Sequence, residues 1–109
     1  MPKYMIQASY TADGLKGLMK DKGSGRLAAV RQAVEAAGGK LEAFYFSFGK
    51  ADAVVIADLP DNATAASIAL AASASGMARA TTTALLTVEE MDRAVTKKVA
   101  YRAPGKAKG

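Results

Sequence analysis

Cysteine and histidine are both absent from the 109-residue chain. The first absence excludes disulfides, thiolate nucleophiles, haem thiolates and zinc-finger sites. The second excludes Ser-His-Asp chemistry and imidazole acid–base work, since histidine is the usual proton shuttle near neutrality. Catalysis by this chain would fall to carboxylates, Lys, Arg, Tyr, hydroxyls, backbone amides or a borrowed cofactor. No clustered acidic loop asks for a hard, oxygen-liganded metal, so neither a metal nor a cofactor is expected. Long hydrophobic runs are missing too. The longest, such as Ala53–Ala57 and Ile68–Ala72, fall far short of the roughly 18 residues of a membrane span. Met1-Pro2-Lys3 leads straight into a polar-interrupted run with no signal-peptide core, so the expected location is the cytoplasm.

What is present suffices for one domain with a real core, because 50% of the chain is hydrophobic. The net charge of +5 looks like a nucleic-acid signal until it is located. Residues 1–96 hold ten Lys and Arg and all ten Asp and Glu, so the body is neutral. Lys97, Lys98, Arg102, Lys106 and Lys108 carry the whole excess. The expected organisation is a domain over 1–96 and a basic tail over 97–109, whose first use is solubility.

Tyr4–Tyr10 alternates as a first strand, and Thr11-Ala12-Asp13-Gly14 breaks it. Leu15–Lys20 has the makings of a short helical turn before Lys22-Gly23-Ser24-Gly25 breaks the chain again. Ser24 is the expected N-cap of a helix from Arg26, whose apolar face is Leu27, Val30, Val34 and Ala37. Gly38-Gly39 supplies the stop. Lys40–Phe48 predicts a second strand, with Leu41, Ala43 and Tyr45 on one face and Phe44, Phe46 and Phe48 on the other. Asp52–Leu59 predicts a third, antiparallel to it. Pro60 ends that strand, and Asp61 or Asn62 caps an alanine-rich helix running to about Ser75. Arg79–Val88 predicts a fourth strand and Glu89–Thr96 a last helix with acids in its first turn. The order is that of an α+β, ferredoxin-like βαββαβ sandwich with a four-stranded antiparallel sheet.

In this pattern the second and third strands are apolar on both faces: Tyr45 against Phe44 and Phe46, Val54 and Ile56 against Val55 and Leu59. One face meets the helices. The other needs cover, because soluble monomers seldom leave a large apolar patch in water. A homodimer or higher homo-oligomer, packed sheet on sheet, is therefore the expected partner state.

The segment Phe48-Gly49-Lys50-Ala51-Asp52-Ala53-Val54-Val55-Ile56, followed by Leu59-Pro60-Asp61, resembles the GYD domain family. Supporting features are Tyr10-Thr11 with Gly14, Gly39-Lys40-Leu41, Phe44-Tyr45-Phe46, Thr81-Thr82-Thr83, Glu89-Glu90 and Tyr101-Arg102-Ala103-Pro104-Gly105. The resemblance spans nearly the whole chain. It implies small bacterial proteins of ferredoxin-like fold, related to the dimeric α+β barrels, with no established activity. Related barrels include cofactor-free monooxygenases, lactone isomerases and haem enzymes, a range that separates fold from function. The family motif places a tyrosine between glycine and aspartate; here Ala51 stands there, between the retained Gly49 and Asp52, so any role of that hydroxyl is missing.

Six residues are candidate ligand contacts. Asp52, after a turn, would serve as base or acceptor in a pocket, or would bond turn amides. Arg26, in a first turn where a cation is disfavoured, would grip a carboxylate from a ligand or partner, or lie on the surface; Arg79 raises the same question. Tyr10 and Tyr45 would polarise a ligand carbonyl or pack as aromatics. Thr81 and Thr83 are strand formers first and pocket hydroxyls second. Gly23-Ser24-Gly25 is too short to be a phosphate loop. No catalytic residue is assigned.

Three functions compete. The first is a small-molecule-binding protein or cofactor-free enzyme with its pocket between sheet and helices or at a dimer seam. The second is a non-catalytic assembly or regulatory module with a filled interface. Nucleic-acid binding ranks last, because the neutral body offers no basic sheet face.

Overall fold

A computed structural model describes residues 1–106. Its elements are β1 (Lys3–Tyr10), α1 (Ala12–Ala36), β2 (Lys40–Phe46), β3 (Ala53–Asp58), α2 (Asn62–Ala74), β4 (Ala78–Leu85) and α3 (Val88–Thr96). The four strands form one sheet in the order β2-β3-β1-β4, every neighbouring pair antiparallel. With both crossovers helical, this is the ferredoxin-like α+β fold expected from the element order.

Local chemistry explains most boundaries. Thr11 caps α1 by accepting from the Gly14 amide, and Asp61 caps α2 by accepting from the Thr64 amide. Thr87 and Glu90 form a reciprocal capping box at α3. Gly38, at φ 84, takes the left-handed turn that releases the chain from α1 into β2. Gly14 is buried where α1 crosses the start of β4. A Cβ there would lie 1.8 Å from the Met77 carbonyl oxygen, so only glycine allows the approach.

The α1 region keeps the expected break and second helix, and corrects the length of the first helical segment and the width of the break. Helix runs from Ala12 to Ala36 with a single kink at Lys22, whose φ of 63 and ψ of 174 leave the helical region. Ser24 therefore lies inside the helix instead of capping one, and Gly23-Ser24-Gly25 forms no loop. The break is real but one residue wide. The ring of Phe46 packs against Gly23 beside it, which holds the two segments together across the kink.

β2 carries the second correction. Leu41 pairs with Ala57 and Ala43 with Ile56, so Glu42 is an extra residue in a β-bulge. The bulge changes the facing of everything before it. Leu41 joins Phe44 against the core, while Ala43 and Tyr45 face the other way. Phe44 and Phe46 meet edge to face with centroids 5.0 Å apart. Phe48, expected on the same stripe, lies beyond the strand and is fully exposed. β4 likewise stops at Leu85, and Val88 opens α3 instead of closing the strand.

The core sits between the sheet and the first two helices. Tyr4, Ile6, Val55, Ala57 and Leu59 supply its sheet side, and Val34 and Ala65 its helix side. The Tyr4 hydroxyl donates to the Asn62 side chain at the start of α2, which satisfies the polar end of a buried ring. The opposite sheet face has an apolar centre of Met5, Ala43, Val54 and Ile56, with Tyr45 69% exposed beside it. At one end of that face Lys3 pairs with both Glu42 and Asp58 at 2.8 Å. These two carboxylates raise the Lys3 pKa, the hydrogen bond that Lys3 donates to Asp58 contributing most. α3 buries no residue, and its apolar stripe of Val88, Met91 and Val95 is exposed. Among the described residues no helix is long and apolar enough to cross a membrane.

Candidate functional site

The covered layer has two unlike ends. At the end holding Tyr4, Val34, Ala57 and Leu59 the side chains fill the space. At the other, small residues leave a cavity of about 580 Å³. The sheet floor there is Ala8 and Tyr10 of β1, Ala53 and Val55 of β3, and Ala78 and Ala80 of β4. α2 adds Ile68, Ala71 and Ala72, and α1 closes the roof with Gly14, Gly17, Leu18, Ala29, Val30 and Ala33. Strand alternation sends Ala8, Ala53 and Ala80 to the same face as Ile6 and Val55, so the cavity continues the core where its residues shrink.

Four ionisable side chains reach this wall: Tyr10, Asp13, Asp21 and Arg26. All but Tyr10 come from α1, on both sides of the Lys22 kink. Among the described residues, Arg26 Nε is the buried side-chain polar atom without a hydrogen-bond partner. Its Nη1 lies 3.7 Å from Asp21 Oδ2, an ion pair too long for a good hydrogen bond. A guanidinium donor buried and unpaired in an apolar wall is a costly arrangement, of order 1–3 kcal/mol. It is also the kind of group that fixes a ligand's orientation.

Of the six residues expected to contact a ligand, the structure brings two to this cavity, Tyr10 and Arg26. Asp52 lies outside it, at a smaller depression between α1 and the β2–β3 loop, lined also by Lys22, Phe46 and Phe48. Its bonds there are specific. β1 runs two residues past its last β3 partner, Ala53, and the Tyr10 amide donates to Asp52 Oδ2 at 2.9 Å. The Asp52 amide donates to the Ala8 carbonyl, and its carbonyl accepts from the Ser47 amide. The Ser47 hydroxyl donates to the Ala51 carbonyl and the Ser9 hydroxyl to that of Lys50. Asp52 thus pins the β2–β3 loop to the end of β1, directly beneath Tyr10.

Tyr45, Thr81 and Thr83 sit on the far side of the sheet. Tyr45 pairs with Val54, Val54 with Gln7, and Gln7 with Thr81, so they share one row of the open face. Arg79 is exposed on that face as well, opposite Ser9. Sequence reasoning missed Asp13 and Asp21 as wall residues. A signal existed: both precede Arg26 on α1, but only a break as narrow as the Lys22 kink, in place of a loop, puts all three over one cavity. Among the described residues no group of three or more carboxylates gathers to hold a metal ion.

The GYD domain family model matches residues 4–95, from the second residue of β1 to the end of α3. No curated protein and no solved structure matches the chain. The match covers both crossovers, all four strands and the Gly49–Asp52 loop, and on it the chain belongs to the GYD domain family.

Proposed function

We propose that this protein binds a small, largely apolar molecule in the cavity between the sheet and helices α1 and α2. The carrying observation is the cavity itself: about 580 Å³, within the range of small-molecule sites, with an apolar wall on which Tyr10 and Arg26 converge. The space opens to solvent past Asp13 and Asp21, so a molecule can enter it, and the alanines of its floor leave it unfilled. Binding is the activity these groups support. A cofactor-free reaction would need one of them as a base in contact with the bound molecule, and the carboxylates on the wall are Asp13 and Asp21.

A second reading, assembly, is favoured by the open sheet face. Its apolar centre of Met5, Val54 and Ile56 is bordered by charges already neutralised within the chain, Lys3 by Glu42 and Asp58. A second copy of this chain, laid sheet on sheet, would cover the apolar centre without separating Lys3 from its two carboxylates. The two readings are compatible, since cavity and open face lie on opposite sides of the sheet.

Native mass spectrometry of untagged protein, purified gently from its source host, tests both. The expected result is a dimer carrying non-protein mass that is released on denaturation. Protein without added mass, and without uptake of apolar small molecules when they are supplied, removes the binding reading. A monomer at micromolar concentration removes the assembly one.

A further inference from the structure

We infer that the molecule taken up by this cavity is an apolar carboxylate, and that Arg26 is the residue that receives its acid group. The inference rests on the binding reading above and narrows it to a ligand class. Arg26 is the wall group with the least alternative. Its side chain is 33% exposed against 49% for Asp21, and its Nε is shut off from water with no acceptor in reach. Asp21 can turn to solvent at little cost. The Arg26 Nε cannot.

A carboxylate fits what is left unsatisfied. The two terminal nitrogens of the guanidinium offer parallel donors, the geometry that two carboxylate oxygens accept together, while Nε stays closed to an acceptor of that size. The loose 3.7 Å contact to Asp21 leaves the terminal nitrogens available for such a fork. Ala29, Val30 and Phe44 line the same cavity, and their low polarity strengthens a charge-assisted pair formed there. The alternatives fare worse. A neutral ligand would cover the guanidinium and leave its terminal nitrogens without a charged acceptor. An ammonium ligand would place like charge beside Arg26, with only the exposed Asp13 and Asp21 to offset it.

Calorimetric titration with three matched probes tests this: 2-naphthoate, 2-naphthylmethanol and 2-naphthylmethylammonium. The expected order is the acid tightest, by about 10- to 100-fold over the alcohol, with the ammonium weakest. Arg26→Gln should erase the acid's advantage and leave alcohol binding within about twofold. Arg26→Lys should retain part of it, because charge survives without the fork. Asp21→Asn should tighten the acid more than the alcohol, since it removes a competing carboxylate. Thermal melts of each variant establish that it is folded. Equal binding of acid and alcohol, or an unchanged preference in Arg26→Gln, overturns the carboxylate inference while the cavity reading stands. Tightest binding of the ammonium overturns it in favour of the acidic groups. If no probe binds, or if Ala80→Ile, which narrows the cavity, leaves all three affinities unchanged, the cavity reading itself falls and the inference with it.

Discussion

The two ends of the layer between sheet and helices are made of the same elements and behave oppositely. β1 sends Tyr4 and Ile6 into the core at one end and Ala8 and Tyr10 to the cavity at the other. β3 runs the opposite way, from Ala53 at the cavity to Ala57 and Leu59 in the core. α1 contributes Val34, 1% exposed, to the filled end and Gly14, Gly17 and Asp21 to the other. The backbone geometry of the sheet is continuous from end to end, so side-chain volume makes the difference. Stability is concentrated where the volumes match, and room for a ligand arises where alanine and glycine replace larger residues.

That contrast can be broken most severely at the filled end. Leu59 is completely buried, and Leu59→Ala should cost about 2–5 kcal/mol, read as a drop in the denaturation midpoint with unchanged slope. A loss under 1 kcal/mol would mean that the filled end is not where stability resides. At the other end the same logic inverts. Ala80→Ile adds apolar volume to the cavity and should raise stability by roughly 0.5–2 kcal/mol while weakening uptake of small molecules. A destabilised variant would show that the cavity is already filled by local rearrangement.

A smaller effect is expected at the kink. Lys22 holds a positive φ with extended ψ, a region that disfavours any side chain, and Lys22→Gly should stabilise by roughly 1 kcal/mol in chemical denaturation. The smallest effect belongs to the open face. Glu42 and Asp58 raise the Lys3 pKa above its ordinary 10.5, so the folded state holds that proton more tightly than the unfolded one. The associated stabilisation is fully present below pH 10.5 and disappears as pH rises through the folded value. Lys3→Met should flatten that alkaline decline, measurable as the change in melting temperature between pH 9 and pH 12.

Much of this was legible in the sequence. The strands of Tyr4–Tyr10 and Val54–Ile56, the alanine helix after Asp61 and the capped helix after Thr87 follow from alternation and capping chemistry, which act over a few residues. Lys22-Gly23-Ser24-Gly25 has the composition of a loop, yet the break is confined to Lys22, and Phe46, more than twenty residues away, packs against Gly23 beside it. That contact is tertiary and leaves no local mark. Arg26 was legible because a cation in a helix's first turn is out of place, and Tyr10 because its strand was. The cavity was not, since Ala8, Ala53 and Ala80 are as good in a close-packed interface as in a void. Their meaning depends on the residues facing them.

The bulge at Glu42 has a consequence for how this protein tolerates change. A strand is a two-state count, odd positions one way and even positions the other, and Glu42 is the extra digit that shifts the count midway through β2. Replacing its exposed side chain alters one ion pair. Deleting the residue would do far more, because the half of β2 on one side of it must then turn over. Either Leu41 leaves the core for water, or Phe44 leaves it and Tyr45 enters. A single-codon deletion at a solvent-exposed position would thus be among the most damaging lesions in the chain, and every neighbouring substitution at the surface would be mild beside it.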